Sequence, residues 1–473
     1  MAYPNALVKG YLTATGQLTP EMRMKIDENI VVGHQKLLTF EVDGGGFNWW
    51  ANDKHALVWL TAYGIMEFAD MARVTEVDRG VIDRAAAWLQ KVRHRDGTWT
   101  QAGRTHGERI EHLPDGVTVL TAYVAWALGE AGFADRARDS IAYLESKAER
   151  TDDAYALAMI VNALVANDSP RAAAAARRLA RMAQVESDVA SWGGSGTLSY
   201  ARGGGADLEA TGLATYALFR SKTETAVADM GAAWLIKRRD AHGGWGSTQA
   251  TILAIKALIE QAKAGGRGEG TGAVSLVVNG RPGPKFEAIT DRNNDVVQQV
   301  DVTDWVRPGE NTFEVTLDGR ARLSYQVAGR CYVPWRPGDD RPAETSPLSI
   351  DVTYDKERLL VTEKLRARVR LDYRASSPTF MVIAEVGVPP GFAVDVPTLE
   401  KLVADGKIAR FGSTARRVTL YFGEVRPGTV EVEFDLKPKY AVKVKTEPAT
   451  AYEYYSPERR GESRPRAIEV TEE

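Results

Sequence analysis

The chain has 473 residues, 44% of them hydrophobic and 26% charged, with a formal net charge of −3. That length suits two to four soluble domains, and the near-neutral charge argues against a protein that coats nucleic acid. One cysteine, Cys331, excludes an intramolecular disulfide framework and a cysteine-rich metal site; no apolar run is long enough to span a membrane, and residues 1–7 carry no basic, then apolar, signal-peptide pattern.

Only Pro4, Pro20, Pro114 and Pro170 precede residue 268, and the other 16 of the 20 prolines follow it. Proline lacks an N–H donor and clashes with the previous helical turn, so the first half can be helical and the second mostly cannot. Thr19 before Pro20 and Ser169 before Pro170 read as helix caps followed by a first helical residue. Residues 55–71 (HALVWLTAYGIMEFADM) are apolar on nearly every side, which predicts a helix buried all round. Residues 81–92 instead place Val81, Ile82, Ala85, Trp88, Leu89 and Val92 on one stripe, the pattern of an outer helix. Alternation of the two kinds predicts two concentric layers.

A glycine-aromatic turn recurs at residues 43–47 (DGGGF), 96–99 (DGTW), 191–194 (SWGG) and 242–245 (HGGW), each before a small, apolar helix. Residues 60–63 (LTAY) recur at 120–123. A repeat of roughly 50 residues fits a helical hairpin with its loops. Nine of the 11 tryptophans lie in this half, read as packing between the layers. Residues 1–264 are therefore expected to form an α/α toroid of about six helix pairs. Asp152-Asp153 opens one helix; without a third acid it reads as helix-start charge compensation rather than a cyclase's catalytic cluster. The toroid has no cysteine for a prenyltransferase-type zinc thiolate.

Residues 265–272 form a glycine-rich linker. Beyond it, residues 273–278 (AVSLVV) end at Asn279-Gly280, a hairpin dipeptide. Residues 311–317, 348–354, 365–371 and 429–434 alternate apolar and polar with period two, as half-buried strands do. One helix interrupts them, over residues 396–404. Gly/Pro turns between such strands suggest a β-sandwich. The charged residues 458–473 are expected to be disordered.

Several runs together resemble the alpha-2-macroglobulin and complement thioester-protein family. They are residues 4–21 (PNALVKGYLTATGQLTPE), 33–38 (GHQKLL), 43–47, 59–63 (WLTAY), 96–99 and, near the end, 451–457 (AYEYYSP), which looks like the last strand of that family's receptor-binding domain. The resemblance implies an α/α toroid thioester-type domain over 1–264, the linker 265–272, and a CUB-like β-region over 273–345. That region would be incomplete, because the family inserts the toroid within the CUB-type domain. A receptor-binding-type β-sandwich over 346–457 would follow, then the tail 458–473.

The same resemblance implies the C-terminal part of a bacterial endopeptidase inhibitor, extracellular or periplasmic, that is not itself an enzyme. It would trap or tag proteases as part of a larger macroglobulin-like protein, without cofactor, metal, nucleic acid or membrane span. In the family, a Cys–Gln thioester in a GCGEQ motif lies just before the segment that matches residues 1–4. Cys331 lies far from that position and reads as a small buried hydrophobe. His106 stands near the place of the histidine that receives the acyl group in complement-type members, with a one-residue offset; imidazole is nucleophile and base near neutral pH. His112 is a weaker candidate, and His34, His55, His94 and His242 read as structural or solvated. The two receptor-binding lysines of macroglobulins correspond to Val396 and Glu400, with Lys401 and Lys407 off register, so recognition by an animal endocytic receptor is not expected. The other readings are a non-catalytic binding or structural module, and a toroidal glycoside hydrolase or cyclase with paired carboxylates in its mouth.

Overall fold

The computed structural model describes residues 2–49, 51, 54–100, 110–240, 243–264, 271–290, 293, 298–320, 325–329 and 346–472. Eleven helices come first: α1 (Ala2–Thr15), α2 (Pro20–Leu38), α3 (Val58–Ala72), α4 (Arg79–Val92), α5 (Gly116–Glu130), α6 (Arg138–Ala148), α7 (Ala154–Ala166), α8 (Ala172–Arg181), α9 (Gly204–Arg220), α10 (Thr225–Lys237) and α11 (Thr248–Ala264). The odd-numbered helices pack on one another in sequence, and α11 returns to α1, so six of them close a ring. The even-numbered helices pack outside it. The toroid thus has six inner helices but five outer ones among the described residues, not six full pairs.

Composition explains the layers. In α7 every residue from Ala154 to Leu164 is buried, whereas α8 buries only Ala175, Ala176 and Leu179. Inner helices are apolar all round because each has neighbours on every side.

The recurring turn has a chemical purpose. Its aromatic residue donates its backbone N–H to a threonine on the inner helix that follows. Phe47 bonds Thr61 Oγ1 at 3.0 Å, Trp99 bonds Thr121 at 3.1 Å, Trp192 bonds Thr211 at 3.0 Å and Trp245 bonds Thr251 at 3.1 Å. In the three tryptophan turns the indole Nε1 also donates, at 2.8 Å, to a carbonyl of the preceding outer helix: Leu89, Leu179 and Leu235. One side chain therefore fixes an outer helix, a turn and an inner helix, each bond contributing about 1 kcal/mol net. The left-handed backbone of Gly97, φ 84°, is what the turn requires, and an added Cβ there would lie 2.9 Å from Asp139.

Local differences from the sequence reading have local causes. Helix α3 starts at Val58, not His55, because Leu57 donates its N–H to Phe47 O and pairs with the turn. Thr19 caps α2 ahead of Pro20, as expected. Helix α8 instead begins at Ala172: Ser169 Oγ accepts from Arg171 N in a turn that includes Pro170. Asp153 caps α7, its Oδ1 accepting from Ala156 N at 2.8 Å. A short hairpin, Gln184–Glu186 with Val189–Ser191, had no clear sequence signal.

A small antiparallel sheet follows, with strands in the order Arg281–Pro282, Gly272–Val278, Phe313–Gly319. Asn279 and Gly280 both take positive φ, as a two-residue hairpin turn demands. Leu276 and Val278 are buried, but Val274, Phe313, Val315 and Leu317 on the same sheet are only half-buried.

The last region is a β-sandwich. One sheet orders Phe392–Val394, Gly428–Pro438, Leu365–Tyr373 and Leu348–Tyr354. The other orders Arg410–Ser413, Arg417–Val425, Thr379–Gly387, Thr450–Glu453 and Ser456–Glu462. In Leu365–Tyr373 the core takes Leu365, Ala367, Val369, Leu371 and Tyr373, while Arg366, Arg368 and Arg370 point outward. Helix α12 (Val396–Ala404) closes the core with Leu399 and Leu402.

Residues 458–472 are not a disordered tail. Strand Ser456–Glu462 continues the second sheet, and Ala467–Thr471 pairs with Val442–Lys445 and Arg358–Leu360. The charges misled because they occupy the outward face: Glu469 pairs with Lys443 and Arg358, while Ile468 and Val470 are buried. Thr450–Glu453 is accordingly not the final strand.

Candidate functional site: the sealed mouth of the toroid

Each outer helix returns the chain, so α3, α5, α7, α9 and α11 run the same way and start at one end. The glycine-aromatic turns gather there. The sandwich docks on this mouth through the loop between Thr450–Glu453 and Ser456–Glu462. Tyr455 at its tip is 6% exposed and packs in one cluster with Tyr200, Ala201 and Phe380, flanked by Trp49 and Met381. Trp49 lies edge-on to Trp59 with centroids 5.2 Å apart, and Tyr200 packs 4.5 Å from Phe380.

Polar bonds hold this contact. Arg202 N donates to Ser456 Oγ at 3.1 Å, and the Arg202 guanidinium donates to Ser377 Oγ and Pro378 O, each at 2.7 Å. Tyr200 and Met381, one from each side, adopt left-handed backbone at φ 63° and 56°. Such strain persists only where the surroundings impose it.

Beneath the tyrosine lie two buried acids. Glu209 on α9 is fully buried. Its Oε1 accepts from Ser199 Oγ at 2.5 Å, and burial pushes its carboxyl up to about 7. Glu67 on α3 is 4% exposed, and burial, with the nearby Asp70 charge, pushes it up to about 8. Burial likewise raises the phenols of Tyr63, Tyr155 and Tyr455. The mouth is thus aromatic and lined by carboxyls that burial pushes toward the neutral form, suited to shielding a water-sensitive group.

The opposite end of the ring is charged. Asp70 Oδ2 accepts from Tyr3 Oη at 2.8 Å and from Lys256 Nζ at 2.6 Å, and Arg73 pairs with Asp70 and with Glu130, which Arg220 also reaches. Burial alone would raise Asp70, but the Lys256 ammonium and Arg73 hold it below the usual carboxylate range. The cavity beside this network, about 770 Å³, opens between α1 and the C-terminal ends of α3, α5, α9 and α11.

Two sequence profiles match the chain: the A-macroglobulin TED domain over residues 1–261 and the A-macroglobulin receptor binding domain over residues 377–464. The chain belongs to the alpha-2-macroglobulin family. Ovostatin of Gallus gallus is 25% identical over 483 residues, an alignment that covers 96% of this chain and 32% of ovostatin. The chain thus spans about a third of that macroglobulin relative. The Y1175G mutant of Salmonella alpha-2-macroglobulin superposes with a TM-score of 0.67 at 16% identity, over 99% of this chain and 30% of its own. Native Escherichia coli alpha-2-macroglobulin, from domain MG7 to the C-terminus, gives 0.66 at 14% identity, over 99% and 72%. At such identities the superpositions speak to fold: a helical toroid followed by macroglobulin β-structure.

Against this macroglobulin frame, His106 and Cys331 lie outside the described residues, as does His242. His112 stands in the mouth, stacked on Tyr200 with centroids 4.5 Å apart and its Nε2 3.0 Å from Thr197 O. His34 packs edge-on to Phe68, and His94 meets Thr100 Oγ1 at 2.7 Å. Sequence reasoning missed Glu209, Glu67 and Arg202. An acid set inside the small, apolar stretch of an inner helix, as in residues 208–214 (LEATGLA), was the available signal for Glu209. No residue of the described chain joins a cluster of three metal-ligating side chains, and no described helix is long and apolar enough to cross a membrane.

Proposed function

We propose that this chain is the C-terminal part of a bacterial macroglobulin that inhibits endopeptidases by covalent capture outside the cytoplasm. The observation that carries this reading is the covered mouth: a macroglobulin toroid whose mouth is capped by a buried tyrosine from the receptor-binding sandwich. A thioester hydrolyses unless water is excluded, and an aromatic cover excludes it. The reactive Cys–Gln pair would come from sequence preceding residue 1.

In this reading the His106 imidazole attacks the thioester carbonyl and the cysteine thiolate leaves, forming an acyl-imidazole. A hydroxyl on the target then attacks the acyl carbon, passes its proton to base and releases imidazole. His106 is proposed for this step on family resemblance. Residues 273–345 would be the later strands of a CUB-like domain whose earlier strands precede the toroid. The edge of Phe313–Gly319, unpaired among the described residues, and the half-buried apolar face of its sheet support that division.

The test is capture. The full-length protein is incubated with an active endopeptidase, then boiled in detergent and reductant. A covalent adduct that fails to form after methylamine pretreatment supports the reading. No adduct with any of several active proteases, from protein shown to carry an intact thioester, overturns it.

A further inference from the structure

A directed chain of hydrogen bonds runs from the domain contact to Glu209. Ala201 N donates to Thr197 Oγ1 at 3.0 Å, and Thr197 and Ser199 hydroxyls meet at 2.9 Å. Because Ser199 Oγ donates its one proton to Glu209 Oε1, it must accept from Thr197, which fixes the direction. The loop that carries this relay also presents Tyr200 to Phe380 and Arg202 to Ser456. Glu209 therefore touches the grip on the sandwich through three residues.

The second carboxyl oxygen, Oε2, is buried and has no hydrogen-bond partner among the described residues. The titratable groups around Glu209 are phenols and one imidazole. Tyr123 comes from α5, Tyr155 from α7 and Tyr455 from the sandwich, each sensing the Glu209 charge, and His112 contacts Thr197 O on the far side of the relay. No described lysine or arginine forms an ion pair with Glu209. Protonation removes a buried charge that has no described counter-ion, and the Ser199 and Thr197 hydroxyls oppose that burial effect only in part.

We propose that Glu209 is an acid-tightened latch, whose neutral carboxyl keeps loop 197–202 in the conformation that grips the sandwich and whose ionisation loosens that grip. The latch stands apart from the acyl chemistry above and does not require it. Its sign follows from linkage. The carboxyl binds its proton more tightly when buried, at about 7, than when an open mouth hydrates it. Closure is thus most favoured below the open-state value, and loses that advantage as pH rises from there to about 7, with little further change above. Because the inner helices still surround Glu209 when the sandwich lifts, the expected loss of the closed-to-open ratio is about tenfold rather than the full several-hundredfold.

The Arg202 amide reports this directly, since its acceptor, Ser456 Oγ, belongs to the sandwich. Hydrogen exchange of the full chain, corrected for intrinsic rate, is measured at that amide between pH 4.5 and 8. Protection should fall about tenfold up to pH 7 along a one-proton curve and then level. Glu209→Gln keeps an acceptor for Ser199 and removes the charge, so its protection should be flat across the range. Wild-type protection that does not vary overturns the latch. So does a Gln variant that keeps the wild-type pH dependence, which would assign the proton to another group such as His112. Should Glu209→Gln fail to fold, the wild-type curve still decides, because a midpoint above pH 7.5 or loss of protection on acidification contradicts the stated sign.

Discussion

Thr121→Val removes the acceptor for the Trp99 N–H and almost nothing else. Both residues are 0% exposed, the hydroxyl accepts at 3.1 Å, and valine has the shape of threonine. The variant strands a buried N–H, which costs about 1–3 kcal/mol. Spread over a toroid of this size, each kcal/mol lowers the melting temperature by about 2–4 °C, so a fall of about 2–12 °C is expected. Thr121→Ser is the necessary companion. It keeps the hydroxyl and deletes one methyl, for about 1 kcal/mol or slightly more. Thermal unfolding of the full chain followed at 222 nm, where the helices dominate, reads both. If Val costs no more than Ser, the backbone bond is not what holds the turn, and the recurring motif is packing alone.

Three further outcomes follow. Asp70→Asn leaves Lys256 buried without its carboxylate and should destabilise the chain by about 3–5 kcal/mol in denaturant unfolding; because the native carboxyl is held low, the stability that it gives wild type is present above about pH 4 and lost as pH falls through its native value. Native-state hydrogen exchange should be fast in strands Gly272–Val278 and Phe313–Gly319 and slow in α7, whose core residues are all buried; equal protection would show that the small sheet is complete by itself. In a protein carrying the upstream motif, His106→Ala should slow transfer to glycerol more than transfer to methylamine, read by mass, and equal slowing of both would remove His106 from the mechanism.

The toroid was legible because burial and period agree. Residues 55–71 are apolar nearly all round and most of them fall in inner helix α3, and residues 81–92 carry one stripe and lie in outer helix α4. Strands such as Leu365–Tyr373 were legible for the same reason, with period two in place of 3.6. The end of the chain was not. In residues 456–471 the charges lie on an exposed strand face and only Ile468 and Val470 speak for burial, a pattern too short to outweigh composition. The chemistry of the turns was half legible. Glycine and tryptophan announced a repeated turn, but the threonine acceptors stand anywhere from 6 to 22 residues downstream, so no fixed spacing links them. The mouth was the least legible part. Tyr455 and Arg202 are far apart in sequence from the residues they meet, and only the fold brings Ser456 to Arg202 across 254 positions.

The central proposal is that this macroglobulin toroid shields a thioester. The most direct measurement is intact mass, together with a free-thiol count, on the protein expressed with its upstream coding sequence. Methylamine should add once per chain and release one thiol, and Tyr455→Ala should accelerate that uptake by opening the mouth. Absence of both methylamine uptake and thiol release in the extended, folded protein would contradict the claim.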